Sequence, residues 1–370
     1  MSHKSQHPPE FHVPWGLSFF GGLVSRNPRF WKWLGNVETS FLSDDLQQKP
    51  INTPIYICGL ARSGSTILLE ILASHADVAT HRYIDFPPVY TPYFWNLLQR
   101  MMPRANPDPV ERTHQDGMMV TADSPEAMEE ILWMKFFPGA HDPSKLDILD
   151  EGTDRPDFET FYADHIRKIL RIRNGTRYAA KGNYNIARIV YLQKLFPDAR
   201  FVVPVRRPVA HIASMQKQQI LFCKGESANP KMLKHLQRVG HFEFGLDRRP
   251  INVGNSDVVR EIIELWKNGE EIRGWARYWA YVYGYLADLL ETSQLTRSSI
   301  KVLKYEDLCE AAGDTISSLL SHCQLEDDGR LTREFAKRVH YPDYYEATFT
   351  PEEIATIDEE THRVAARFGY

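Results

Sequence analysis

The chain has 370 residues, 43% of them hydrophobic and 25% charged, with a formal net charge of −4. That balance is ordinary for a folded globular protein and argues against the bulk basic character of nucleic-acid-binding domains, so no nucleic-acid partner is expected. Its four cysteines (Cys58, Cys223, Cys309, Cys323) show no C-x-x-C spacing and no neighbouring histidine pairing, so no disulfide framework and no metal site are expected, and a reducing, cytoplasmic setting is.

Residues 1–50 read as an N-terminal extension, partly helical, without the charged-then-apolar pattern of a signal peptide. No run of 18 apolar residues occurs, so no transmembrane segment is expected. Within the extension, WGLSFFGGLVSRNPRFWKWLGNVE (15–38) is rich in aromatic residues with basic ones between. Peripheral contact with a membrane surface is one reading of that pattern. Packing on the domain, or on a partner subunit in a homo-oligomer, is the more ordinary one.

From residue 51 the pattern changes. TPIYICGL (53–60) is a short β-rich apolar run and predicts a buried strand, and STILLEILASH has apolar residues at helical spacing. Residues 77–122, rich in proline and aromatics, predict long loops with short helices. SPEAMEEILWMKFF (124–137) opens with a Ser-Pro-Glu helix signature, and a further helix is predicted over 157–173. RYAAKGN predicts a strand leading into Lys181, and NIARIVYLQKLFP an amphipathic helix. ARFVVPVRRPVAHIASMQKQ predicts a second strand turning into a helix. Residues 222–255 read as an insertion, 256–292 as one long helix, SIKVLKYEDL as another strand, and the remainder as helical. Strands alternating with helices imply an α/β fold, a central parallel sheet flanked by helices with helical insertions. The domain organisation expected is therefore an extension (1–50) and one α/β domain (51–370).

Between Arg167 and Lys194 eight basic residues occur with no acid among them. Such a run is either a solvated face or the positive side of an anion site.

The chemistry concentrates at GLARSGST (59–66). Gly59, Gly64, Ser65 and Thr66 fall at the offsets of a nucleotide-binding P-loop between strand and helix, yet Ser65 stands where its lysine would be. Loop amides and a helix N-terminus make an anion cradle. Ser63, Ser65 and Thr66 add hydroxyl donors, and Arg62 can grip an oxyanion with two parallel hydrogen bonds. An ATPase or kinase would also need a metal-holding acid at the end of a neighbouring strand. The strand RFVVPV instead ends in Arg206 and Arg207. A nucleotide bound without metal, through a second phosphate, suits these residues better.

GLARSGSTILLEILASHADV resembles the 5′-phosphosulfate loop of the sulfotransferase family, and ARFVVPVRRPVAHIASMQKQ resembles its 3′-phosphate motif. YAAKGNYNIARIVYLQKLFPDARF, IKVLKYEDL and the terminal ARFGY are similar to further family segments. The resemblance runs over about 53–370 and implies a P-loop-like three-layer fold. It also implies 3′-phosphoadenosine 5′-phosphosulfate (PAPS) as donor, 3′,5′-adenosine bisphosphate (PAP) as product, and no metal. Arg62, Ser63, Gly64, Ser65 and Thr66 would hold the 5′-phosphosulfate, Arg206 and Ser214 the 3′-phosphate, and Lys181 the transferring group. In two places the chain departs from the family. Arg207-Pro208 stands where many relatives have Asp-Pro, and Arg82 stands where several carry a glutamate base. The base then falls to Asp85 or His81, with Glu129 and Glu130 more distant. The transfer expected is in line, to a hydroxyl or amine of an acceptor left open among small molecules, lipids and glycans. A Mg-ATP kinase and a non-catalytic nucleotide-binding protein of the same fold are the alternatives.

Overall fold

The protein is described by a computed structural model covering residues 11, 13–102, 108–341 and 348–370. Its strands are β1 (Ile55–Cys58), β2 (Val78–Ala79), β3 (Val110–Glu111), β4 (Met119–Val120), β5 (Arg177–Gly182), β6 (Arg200–Val205) and β7 (Ile300–Lys304). Five of them form a parallel sheet in the order β2-β5-β1-β6-β7, while β3 and β4 make a small antiparallel hairpin.

Both faces of the sheet are covered, which is why its strands are continuous apolar runs. Side chains alternate between two cores. Tyr56, Cys58, Phe201, Val203 and Val205 enter the larger one, packed with the long helices Pro156–Arg173, Pro208–Ala228 and Glu271–Thr292. Ile55, Ile57 and Val202 enter the other, against Ser65–Ala73 and Ala312–His322. The three-layer parallel α/β architecture follows from this two-sided burial.

Register positions the chemistry. Ile57 is level with Lys181 and Cys58 with Gly182, so Lys181 stands beside the start of the loop that leaves β1. Val205 is level with Lys304, so the next residues, Arg206 and Tyr305, emerge together from adjacent strands. The guanidinium of Arg206 lies 4.8 Å from the Tyr305 ring centroid. Lys181, the β1 loop and Arg206 thus share the carboxyl edge of the sheet, where open α/β sheets bind ligands.

Several elements differ from the sequence expectation for identifiable reasons. The helix expected over 124–137 begins only at Glu130. Tyr83 N–H donates to the Ser124 carbonyl and Glu126 N–H to the His81 carbonyl, and this bridge holds 124–126 extended. The helix expected over 256–292 is two, Ser256–Lys267 and Glu271–Thr292, broken where Gly269 takes a φ of +84°. Residues 222–255 hold the end of Pro208–Ala228 and a further helix, Pro230–Val239, and the N-terminal stretch forms the helices Trp15–Arg26, Pro28–Phe41 and Ser43–Gln47.

Candidate functional site at the carboxyl edge of the sheet

The loop after β1 is held by its backbone. Gly59, Arg62 and Gly64 have φ of +134°, +72° and +104°. A Cβ on Gly64 would come within 2.6 Å of the Tyr305 ring, so only glycine fits both the conformation and the space. Ser63 and Ser65 are buried, and Ser65 opens the helix Ser65–Ala73. From behind, His211 Nε2–H donates to the Ala61 carbonyl (2.9 Å), while its Nδ1 accepts from the Trp279 indole (3.2 Å). Burial, followed by the charges of Arg206 and Arg62, pushes His211 down to about 3 against the opposing bond to Ala61. It therefore acts as a neutral brace for the loop.

Arg62 turns toward the Pro208–Ala228 helix, its Nε donating to Ser214 Oγ at 3.2 Å. Its Nη1 pairs with Asp116 at 2.6 Å. Arg112 also pairs with Asp116, and its Nη1 donates to Thr66 Oγ1 (3.2 Å). Lys181 Nζ donates to the same hydroxyl, also at 3.2 Å. Two cations therefore converge on Thr66. Burial, then the competing fields of Glu126, Arg112, Glu243 and Arg62, leave the Lys181 ammonium below its ordinary range. Asp116 is held far below the usual carboxylate range: burial would raise it, but the bonds and charges of Arg112 and Arg62 prevail.

Two cavities meet at this point, sharing Arg62, Ser65, Thr66 and Arg112 in their walls. One, of about 480 Å³, contains Gly64, Arg206, Ser214, Lys217 and Tyr305. Arg206 is buried there, and its Nε has no hydrogen-bond partner among the described residues. An unpartnered buried donor beside a serine and a helix N-terminus suits a phosphate group. The other, of about 430 Å³, is largely apolar, with Leu17, Phe86, Met128, Trp133, Phe222 and Met232 in its wall. Its polar end carries Lys181, Glu126 and Glu243. A broader depression of about 770 Å³ beside β7, lined by Arg297, Lys301, Lys304 and Arg367, contains none of the loop residues.

The structure thus brings Arg62, Ser65, Thr66, Gly64, Lys181, Arg206 and Ser214 around one junction, with Ser63 buried behind the loop. It does not bring Asp85 or His81 there; neither lines either cavity. Asp85 accepts from His81 Nδ1 (3.1 Å), Arg82 N–H (3.0 Å) and Arg173 Nη2 (2.5 Å). His81 Nε2 is in turn shared with His165 Nε2 at 2.9 Å. Burial opposes the Asp85 charge, but His81, Arg173 and the Arg82 amide hold its carboxyl below the ordinary value. Its acceptor capacity is spent on the fold, so the expectation of Asp85 or His81 as base gives way to a structural role. Glu129 accepts from Tyr162 and Tyr178, and Glu130 pairs with Arg188 and His141. The basic run shares this fate: Lys168 pairs with Glu38, Arg173 with Asp85 and Arg188 with Glu130, leaving Lys181 as its contribution to the site.

Sequence reasoning missed Arg112 and Glu126. Arg112 sits in a loop segment whose approach to Thr66 is purely tertiary. Glu126 was hidden in an apparent helix start, which the bridge to His81 unwinds into the cavity wall.

A glycine loop with a helix N-terminus at the carboxyl edge of a parallel sheet, faced by a second basic pocket, is an arrangement suited to an anionic ligand. The model of the sulfotransferase family matches residues 54–249, more than half of the chain, and the chain belongs to that family. Among solved structures it is similar to sulfotransferase STF9 from Mycobacterium avium: 12% identity, TM-score 0.51, covering 90% of this chain and 81% of that one. It is also similar to sulfotransferase STF1 from Mycobacterium tuberculosis H37Rv: 16% identity, TM-score 0.48, covering 92% and 84%. At such identities the likeness to STF9 speaks for the fold alone. No curated protein matches the chain.

Proposed function

We propose that this sulfotransferase-family protein transfers a sulfuryl group from PAPS to a hydroxyl on an acceptor with an apolar body, by in-line displacement without a metal ion. The convergence of Lys181 and Arg112 on Thr66 Oγ1 carries the reading. In a P-loop kinase that hydroxyl binds Mg²⁺. Two cations at hydrogen-bond distance oppose a divalent ion there and supply its charge themselves.

The residues fit the donor. The loop amides, Arg62, Ser65 and Thr66 would hold the 5′-phosphosulfate, and Arg206 with Ser214 the 3′-phosphate. When bound, PAPS supplies the sulfuryl group: the bond from acceptor oxygen to sulfur forms as the sulfur–oxygen bond to the nucleotide breaks, and the electron pair departs on the phosphate oxygen of PAP. Lys181 and Arg112 offset the negative charge that develops at that oxygen, an electrostatic role worth about 10²–10³ in rate for one well-placed donor. The proton of the acceptor hydroxyl passes to a carboxylate. Glu126 and Glu243 line the acceptor cavity and both act on Lys181, Glu126 more strongly. Glu243 is held by Asn183 Nδ2 (2.6 Å) and lies 3.4 Å from His241; Glu126 Oε1 accepts from the Ala127 amide (2.6 Å), and its carboxylate makes no ion pair among the described residues. The base is therefore assigned to Glu126.

The apolar wall supports an acceptor with an apolar body, because it offers a sugar few partners. Incubation with [³⁵S]PAPS and a panel of long-chain alcohols, sterols and phenols against sugars tests this. Label entering the apolar acceptors is expected. Label entering sugars alone would overturn the acceptor assignment, and label entering none of them the transfer reading.

A further inference from the structure

The first two helices present an outward apolar face that the fold does not use. On Trp15–Arg26, Trp15, Phe19 and Leu23 recur every fourth residue, and Trp15 and Phe19 are 73% and 62% exposed. On Pro28–Phe41, Phe30, Trp33, Val37 and Phe41 form a second stripe, with Trp33 58% and Phe41 69% exposed. The end of Pro92–Met101 adds Leu97, Leu98 and Met101. These helices are neighbours: the Phe20 ring lies 5.9 Å from Trp31 and 5.7 Å from Trp95, and Phe41 lies 5.8 Å from Phe94. So many large apolar side chains on adjoining helices exceed the scattered exposure of ordinary surfaces.

Charge indicates what covers them. Arg26, Arg29 and Arg100 are exposed among these residues. From Val13 to Ser43 the one acid is Glu38, which is buried against Lys168 (3.1 Å). Aromatic and aliphatic stripes edged by arginines match an anionic lipid surface, where aromatic rings enter the interface and arginines meet the headgroups. The nearest exposed acids, Asp44, Asp45 and Asp157, lie past the end of the second stripe or on another helix, with Asp45 paired to Arg171 and Asp157 to Lys32. A second copy of this face would bring the same arginines together.

The inner side of the same helices reaches the acceptor cavity. Leu17 lines it, and Gly21 packs on Phe86, another of its walls. We propose that the face built from Trp15–Arg26, Pro28–Phe41 and the end of Pro92–Met101 docks the protein on an anionic membrane surface, placing the apolar cavity next to the phase in which an amphiphilic acceptor dissolves. The docking stands on the surface itself; its link to the acceptor rests on the transfer reading above.

Flotation of the full chain with vesicles of phosphatidylcholine alone, and with 30% phosphatidylglycerol, tests the docking. Binding to the anionic vesicles is expected, about ten-fold or more weaker to neutral ones and falling with salt. Replacing Trp15→Ser, Phe19→Ser and Trp33→Ser together is expected to lower it by a further ten-fold or so, with PAP affinity unchanged. Should that variant fail to fold, Arg26→Glu with Arg29→Glu is expected to abolish the anionic preference alone. No flotation with either vesicle, flotation indifferent to both variants, or a dimer in light scattering that the substitutions dissolve while the parent does not float, would each overturn the proposal. Flotation without PAP binding would reject the transfer reading and leave the docking standing.

Discussion

Replacing Arg206 with methionine tests the proposed 3′-phosphate pocket separately from every other feature of the site. The side chain is 7% exposed, its guanidinium rests against Tyr305, and no carboxylate among the described residues pairs with it. In the free protein it is a buried cation with an unpartnered Nε, which an apolar residue of similar length replaces at little cost or with a gain in stability. In the proposed complex with PAP, the same guanidinium would make charge-assisted hydrogen bonds to the 3′-phosphate, worth about 1.5–3 kcal/mol. At about 1.4 kcal/mol per decade, PAP affinity should fall roughly 10- to 150-fold. Affinity for 5′-AMP, which has no 3′-phosphate, should be unchanged within about two-fold, and the melting temperature should hold or rise. Calorimetric titration of both nucleotides into parent and variant reads these quantities. Equal losses for PAP and AMP, or a large drop in melting temperature, would refute the placement of the 3′-phosphate at Arg206.

Glu126→Gln should lower the transfer rate by about 10²–10⁴ with PAP affinity retained, as expected for loss of a general base; an unchanged rate would move that role to Glu243. Asp85→Asn should instead cost about 3–5 kcal/mol of stability at neutral pH by stranding Arg173, with the activity of the folded fraction intact. Because the folded-state pKa of Asp85 is lowered, its contribution is present above the unfolded value of about 3.9 and is lost as pH falls through the folded value. Parent and variant should therefore converge in denaturant midpoint in that acid range, and a gap that persisted there would contradict the ion-pair account. Gly64→Ala should destabilise by about 1–3 kcal/mol from its left-handed backbone, and its methyl meets the Tyr305 ring, so PAP binding should weaken, while Gly313→Ala, at an open position of a helix, should leave PAP binding unchanged and hold or raise stability.

The features legible in the sequence were those whose cause is local. Arg62 to Thr66 are consecutive, and the apolar runs at 55–58 and 200–205 announce strands because both of their faces are buried. Lys181 and Arg206 follow from lying at or just beyond the ends of such strands, and strand register then carries them to the loop. The features hidden from it depend on distant pairing. The basic run from Arg167 to Lys194 gave no sign that Glu38, Asp85 and Glu130 would neutralise Lys168, Arg173 and Arg188 within it. Nor could Asp85 be told from a base until Arg173, 88 residues on, was seen to bind it. Glu126 read as helical because Ser-Pro-Glu favours a helix start; the backbone bridge to His81 and Tyr83 overrode that preference.

A metal-independent PAPS site is tested by titrating the protein with PAP without divalent cations, alongside 5′-AMP and Mg-ATP. Saturable PAP binding well above that of AMP is expected, with no gain on adding Mg²⁺. A preference for Mg-ATP, or equal binding of PAP and AMP, would contradict it.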